Sequence, residues 1–127
     1  MNSGSFATVI NCMDGRTQLP VIEWVKRKHA VDYVDSITEP GPVRILAEST
    51  DVHALESIRR RLGISVTRHG STRVAIAAHA DCAGNPVDKE TQLGQLRAAA
   101  ATVLSWGMDV GLDLLWLGDD WQVERVG

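Results

Sequence analysis

The two cysteines of the chain are the residues best suited to chemistry. Cys12 opens the segment Cys12-Met13-Asp14-Gly15-Arg16, and Cys82 ends the segment His79-Ala80-Asp81-Cys82. Thiolate and imidazole groups are preferred ligands of Zn²⁺, so Cys12, His79 and Cys82 together offer three metal ligands. We therefore predict that Zn²⁺ is a cofactor. A fourth protein ligand would make the site structural, whereas a water in that position would leave it open for catalysis.

Asp14 and Arg16 lie close enough to Cys12 in sequence to act at the same site. Asp14 either supplies the fourth zinc ligand or accepts a hydrogen bond from hydroxide on the metal, since zinc lowers the pKa of a bound water to about 7. Arg16 can hold a carboxylate with two parallel hydrogen bonds and keep it ionised. Asp14 and Arg16 are therefore candidates for a catalytic pair, or for an ion pair that only braces the loop.

Both cysteine motifs directly follow a short apolar run. Residues Ala7–Ile10 precede the first motif and Val74–Ala78 precede the second, and both runs are typical of buried strands. If the two strands are parallel neighbours, their carboxyl ends emerge at one edge of the sheet, where ligands of open α/β sheets bind. The topology would then bring the two motifs together.

Helix and strand signals alternate along the rest of the chain, which predicts an α/β fold. We expect a four-stranded, mostly parallel sheet flanked by helices, with a fifth, antiparallel edge strand as an option. Strands are predicted at about 6–11, 31–37, 74–78 and 112–117, helices at about 19–29, 50–62 and 88–106, and the optional edge strand at 121–126. Gly63 is expected to end the second helix, and the stretch 64–72 to hold a short extra strand.

Composition narrows the classes of function. The formal net charge of −3 gives no electrostatic reason to bind nucleic acid or an anionic membrane. No apolar run approaches the roughly 20 residues that a membrane-spanning helix needs. We expect one domain over residues 1–127, in the cytoplasm, where a reducing environment disfavours a disulfide between the two cysteines.

The motif pair resembles that of the β-class carbonic anhydrases: Cys12-x-Asp14-x-Arg16 after one strand, then His79-x-x-Cys82 after a later one. The order of strands and helices is similar over most of the chain. The resemblance implies a zinc enzyme that interconverts carbon dioxide and bicarbonate, with Cys12, His79 and Cys82 as zinc ligands. It also implies that Asp14 and Arg16 form the catalytic pair, and that in some members the aspartate binds zinc at rest.

One segment departs from the family pattern. After the second strand the family usually has Arg-x-Ala-Gly-Asn, and in the matching stretch Ser36–Gly41 only the glycine is kept. That segment helps to shape the substrate pocket. Related proteins of similar build hydrolyse carbonyl sulfide or carbon disulfide, so two alternatives stay open: a hydrolase of those substrates on the same zinc site, or a non-catalytic member with structural zinc.

Partner expectations follow from the same observations. We expect a small-molecule substrate, no nucleic acid, no membrane, and a homodimer or larger homo-oligomer, because a sheet this small leaves an edge strand exposed. His29, His53 and His69 are expected on the surface. Asp81 is expected not to be a ligand but to cap a helix or to lie just behind the metal ligands, where it could fix the His79 ring. Trp121 is explained by core packing or by a dimer interface.

Overall fold

The computed structural model describes residues 4–127. Its elements, in chain order, are β1 (Phe6–Cys12), α1 (Gly15–His29), β2 (Tyr33–Glu39), α2 (Pro42–Glu48), α3 (Val52–His69), β3 (Arg73–His79), α4 (Lys89–Ser105), β4 (Gly111–Leu117) and β5 (Val123–Arg125). The predicted α/β class is confirmed, and the optional fifth strand is present.

The five strands form one sheet in the order β2-β1-β3-β4-β5. The first four are parallel, and β5 pairs antiparallel with β4. β1 and β3 are neighbours at the centre, with Thr8 opposite Val74 and Ile10 opposite Ile76. Since they run in the same direction, the residues that follow Cys12 and His79 leave the sheet at one edge.

Alternate residues of the strands build two cores, one on each face of the sheet. One face, with Ile10 and Ile76, packs against Leu46 of α2, Ile58 of α3 and Leu96 of α4. The other face, which includes Val9 and Ala75, is covered by Val21 and Val25 of α1, with partly buried Trp24 and Trp121 alongside. The central strands therefore carry almost no solvent-exposed side chains, which fixes their register.

Helix α1 starts four residues earlier than predicted. Asp14 caps it by accepting a hydrogen bond from the Arg16 backbone N–H at 2.9 Å. Pro20, which a start at residue 19 would have placed in the first turn, therefore lies inside the helix. Because proline lacks a backbone N–H, Pro20 cannot make the helical hydrogen bond to the carbonyl of Arg16, four residues before it. The capping aspartate, which also belongs to the chemical motif, sets the helix start.

The prediction for residues 50–72 was wrong in three respects. The helix begins at Val52, two residues after the predicted start at 50, and Asp51 caps it through a bond from the Ala54 N–H. The helix continues through Gly63 to His69, and no extra strand forms there. Gly70, with a φ of 70°, is the left-handed residue that ends the helix. The helix continues past Gly63 because its buried face extends to Ser65. Helix α2, over Pro42–Glu48, was not predicted at all.

No helix within residues 4–127 combines the length and apolar character required to cross a bilayer.

Candidate metal centre

Three side chains converge at the carboxyl ends of β1 and β3. Potential ligand atoms of Cys12, His79 and Cys82 all lie within 4.8 Å of one another. The two Sγ atoms are 3.8 Å apart. The side chains are buried, with exposed fractions of 4 %, 1 % and 4 %. The sequence-predicted trio is thus brought together in the structure, with both cysteines as free thiols.

The His79 ring is oriented to offer its outer nitrogen. Nδ1 lies 2.6 Å from the Ala80 carbonyl oxygen, and a carbonyl only accepts, so Nδ1 carries the proton. In the neutral ring Nε2 then bears a lone pair. Within residues 4–127, His79 Nε2 is one of two buried side-chain nitrogens without a hydrogen-bond partner. A buried, unpartnered imidazole nitrogen beside two thiols fits a zinc ion, whose preferred donors are nitrogen and sulfur.

Hydrogen bonds from backbone amides help to lower the pKa of the Cys12 thiol. Burial raises the pKa of this thiol, but the His79 ring and the amides of Gly41 and Asp14 outweigh burial and lower the pKa to about 7. For His79, burial lowers the pKa, and the interaction with Cys12 and the Ala80 carbonyl raises it by more. Without a metal, the pair therefore favours a thiolate next to a protonated imidazole, and a metal ion that binds Nε2 would displace that proton.

Cys82 behaves differently from Cys12. Burial, the negative charge of Cys12 and the contact with its sulfur raise the pKa of the Cys82 thiol, although the amides of Gly84 and Asn85 lower it in part. Two thiolates this close would repel each other, so Cys82 keeps its proton in the absence of a bound cation. With both thiols deprotonated and His79 neutral, the donor set would carry two negative charges, which a divalent metal would neutralise.

Asp14 and Arg16 form a two-point ion pair beside the cysteines. Arg16 Nη2 lies 2.7 Å from Asp14 Oδ2, and Arg16 Nε lies 3.1 Å from Oδ1. The hydrogen bonds from Arg16 lower the pKa of Asp14 to about 2, more than partial burial raises it. Asp14 raises the pKa of Arg16 in turn. Asp14 is therefore a permanently ionised acceptor at neutral pH.

Asp81 neither caps a helix nor fixes the His79 ring. Helix α4 is capped by Asp88, and the His79 ring is fixed by the Ala80 carbonyl. Instead, Asp81 adopts a φ of 54° and receives Arg16 at both its carboxylate and its carbonyl oxygen, at 3.4 and 3.3 Å. Arg16 thus links the loop after β1 to the loop after β3.

Two residues of the site were not found from the sequence. Gln92 is buried on α4, and its Nε2 donates to the His79 carbonyl at 2.9 Å. The sequence did contain a signal for Gln92, because it is a polar residue on the same helical face as the apolar Leu96 and Val103. Trp121 contacts both the Arg16 side chain and the His79 ring. Nothing in its sequence context separates it from a core tryptophan.

The other histidines differ in how far they are exposed. His53 is exposed, as expected. His69 bonds to Asp35 and keeps 42 % of its side chain exposed. His29 retains only 16 % and lies 2.5 Å from a carboxylate oxygen of Asp113, so the surface prediction for it was wrong. Its partner is a buried acid on β4 that no sequence pattern indicates.

Known proteins provide an independent comparison. Residues 2–127 match the sequence profile of a family described as "Putative carbonic anhydrase". The fold is similar to that of a carbonic anhydrase from Streptococcus mutans, with 15 % identity and a TM-score of 0.62 over 95 % of this chain and 81 % of that one. It is also similar to β-carbonic anhydrase isoform I from Trichomonas vaginalis, with 12 % identity and a TM-score of 0.63 over 98 % and 85 %. Among curated proteins, none matches significantly.

Proposed function

Because the chain belongs to the family described as "Putative carbonic anhydrase" and its fold is similar to that of a β-carbonic anhydrase, we propose that it is a zinc enzyme that hydrates carbon dioxide reversibly to bicarbonate. The observation that carries this proposal is the convergence of Cys12, His79 and Cys82 within 4.8 Å, next to the Asp14–Arg16 ion pair. The ligand set offers three protein donors, which is the number typical of catalytic zinc sites with one open position.

We propose that Cys12, His79 and Cys82 hold the metal. His79 would bind through Nε2, since Nδ1 is engaged by the Ala80 carbonyl. When bound, Zn²⁺ would supply Lewis acidity and make a nucleophile of water available at neutral pH. The carbonyl of Ala80 and the amide of Gln92, which holds the His79 backbone, orient the imidazole for that purpose.

Asp14 is proposed to orient the attacking water. Its pKa of about 2 makes it a poor general base at neutral pH, because a base of that strength holds a proton only weakly. An ionised carboxylate is, however, a strong and fixed hydrogen-bond acceptor. Arg16 occupies both Asp14 oxygens with its fork of donors and thereby sets the direction of the remaining lone pairs.

We further propose a cytoplasmic homodimer or larger homo-oligomer. A reducing compartment would keep the two site thiols free for the metal. In the sheet over residues 4–127, β2 pairs on one side only, with β1, so its outer edge is open to a second copy. The partner proposed for the site is a small-molecule substrate, carbon dioxide or bicarbonate.

Stopped-flow measurement of carbon dioxide hydration at pH 7 and pH 9 tests the proposal, on protein with one zinc per chain. We expect turnover at both pH values, loss of zinc in Cys12→Ser, and retained zinc with turnover reduced at least tenfold, about 1.4 kcal/mol, in Asp14→Asn. Absence of hydration with zinc fully bound would overturn the proposal. Sulfide release from carbonyl sulfide or carbon disulfide would then identify a hydrolase, and loss of zinc in Asp14→Asn would identify Asp14 as a fourth ligand.

A further inference from the structure

The indole of Trp121 lies against two parts of the candidate metal centre. The Cζ atom of Arg16 is 4.2 Å from the centroid of the Trp121 ring. On another side, the His79 ring lies at a centroid distance of 5.7 Å with an interplanar angle of 47°. Trp121 comes from the turn that joins β4 to β5, so a third segment of the chain reaches the site.

The backbone of that turn is held in an unusual conformation. Trp121 has a φ of 58°, which is rare for a bulky residue. The Trp121 N–H donates to the Gly118 carbonyl at 3.0 Å, and the next N–H, of Gln122, donates to the Asp120 side chain at 3.0 Å. Such conformations persist where the surroundings hold them and are concentrated at functional sites.

Arg16 needs an additional restraint in order to keep its orientation. Its side chain is 47 % exposed, and its contacts with Asp81, at 3.3 and 3.4 Å, are long. The two shorter bonds both go to Asp14. An aromatic face at 4.2 Å attracts the guanidinium and removes one of its sides from water. The ring therefore limits the directions in which Arg16 can move.

We propose that Trp121 is a positioning residue, whose indole holds Arg16 in the orientation that grips Asp14. The catalytic consequence rests on the proposed function, but the contact itself does not. Guanidinium–aromatic contacts of this kind correspond to equilibrium changes of about two- to thirty-fold. Loss of the Trp121 ring should therefore lower the ratio of paired to unpaired Asp14–Arg16 by the same factor.

Three variants separate the aromatic face from simple bulk. Trp121→Phe keeps an aromatic ring, whereas Trp121→Leu keeps apolar volume without one. Trp24→Leu is the matched control, because Trp24 packs against the same core cluster and its ring contacts His29. Circular dichroism checks that each variant is folded, and metal analysis checks that each retains zinc.

The first readout needs no turnover. In ¹⁵N NMR spectra of the zinc-loaded protein, the Nε–H signal of Arg16, assigned by its loss in Arg16→Lys, should show an upfield ring-current shift. We expect the shift to persist in Trp121→Phe and Trp24→Leu and to disappear in Trp121→Leu. Exchange of that proton with water should be about two- to thirty-fold faster in Trp121→Leu.

The second readout is catalytic. The kcat of Trp121→Leu should fall by about the same two- to thirty-fold with KM little changed, and Trp121→Phe should recover most of it. Unchanged Arg16 exchange in Trp121→Leu, or an equal loss in Trp24→Leu, would overturn the inference. Absence of hydration by the natural protein would overturn the proposed function alone, since the NMR readout would still decide the role of Trp121.

Discussion

A buried carboxylate far from the cysteines permits a sharp test of what stabilises the fold. The side chain of Asp113 on β4 is fully buried, and its two oxygens contact three cationic or imidazole groups. His29 Nε2 lies at 2.5 Å, Arg73 Nη2 at 3.0 Å and Arg125 Nε at 3.4 Å. Substitution of Asp113 by Asn keeps the shape and removes the charge.

The cost of this substitution follows from the exposure of the partners. Breaking a buried ion pair costs about 3–5 kcal/mol when the remaining charge stays buried. Here the exposed fractions of the Arg73 and Arg125 side chains are 35 % and 48 %, so water can partly solvate both guanidinium groups. We therefore expect Asp113→Asn to lower the free energy of unfolding at pH 7 by about 2–3 kcal/mol, at or below the bottom of that range.

The pH dependence of this loss has a definite sign. Burial raises the pKa of Asp113, but hydrogen bonds from His29 and Arg73 and the charge of Arg73 outweigh it, so the folded-state pKa is lowered. The stabilisation by Asp113 is therefore complete above the unfolded-state pKa of about 3.9. As the pH falls below that value towards the folded-state pKa, the unfolded chain binds a proton that the folded protein does not, and the stabilisation declines.

Urea unfolding at pH 7, 5 and 3, followed by circular dichroism, measures the difference between the natural protein and Asp113→Asn. Subtracting the free energy of unfolding of the variant from that of the natural protein at each pH removes the contributions of groups that titrate in both proteins. Asp109→Asn, at an exposed position just before β4, is the matched control and should change stability by less than about 0.5 kcal/mol. A loss in Asp113→Asn no larger than in the control, or a loss that grows as the pH falls, would refute the reasoning.

Three further predictions concern the loops and the metal. Gly41 and Gly70 both have positive φ, but a Cβ on Gly41 would meet the backbone of the β3–α4 loop at 2.9 Å, whereas nothing lies within 4 Å at Gly70. Urea unfolding should show that Gly41→Ala costs about 2–4 kcal/mol and Gly70→Ala only about 1 kcal/mol. Gln92→Leu leaves the buried His79 carbonyl without its amide donor and should cost about 1–3 kcal/mol in the same assay, and no loss would contradict the positioning role of Gln92. Chelation of the metal should lower the free energy of unfolding by about 4 kcal/mol if zinc is present at 1,000 times its Kd, and Cys12→Ser should show no such change in its urea midpoint.

The sequence was most informative where local and long-range requirements coincide. The apolar runs before Cys12 and His79 predicted β1 and β3 to within one or two residues, because strands buried on both faces are mostly apolar along their length. Their parallel pairing followed from the alternation of helices and strands. Once that pairing held, the meeting of Cys12 with Cys82 was a geometric consequence.

The failures arose where a tertiary contact decided the outcome. Gly63 was a reasonable helix end from local preference, yet α3 continues because Ser65 is buried and bonds to Thr8 and Asp35 across the sheet. The partner of His29, Asp113, lies on a strand at the far end of the chain. Trp121 does pack against the core, one of the two explanations offered for it, but its contact with Arg16 was missed because the turn that presents it has no distinctive local pattern.

The two clusters of charged and metal-binding groups occupy opposite ends of the same strand. Asp113 lies opposite Ala75 of β3, and His79 ends that strand, which places about 13 Å of extended chain between them. Changes separated by more than about 10 Å usually have additive effects on free energy. Substitutions near Asp113 should therefore shift the stability of the protein by the same amount whether or not the cysteines hold a metal ion, so stability and metal affinity can be adjusted independently.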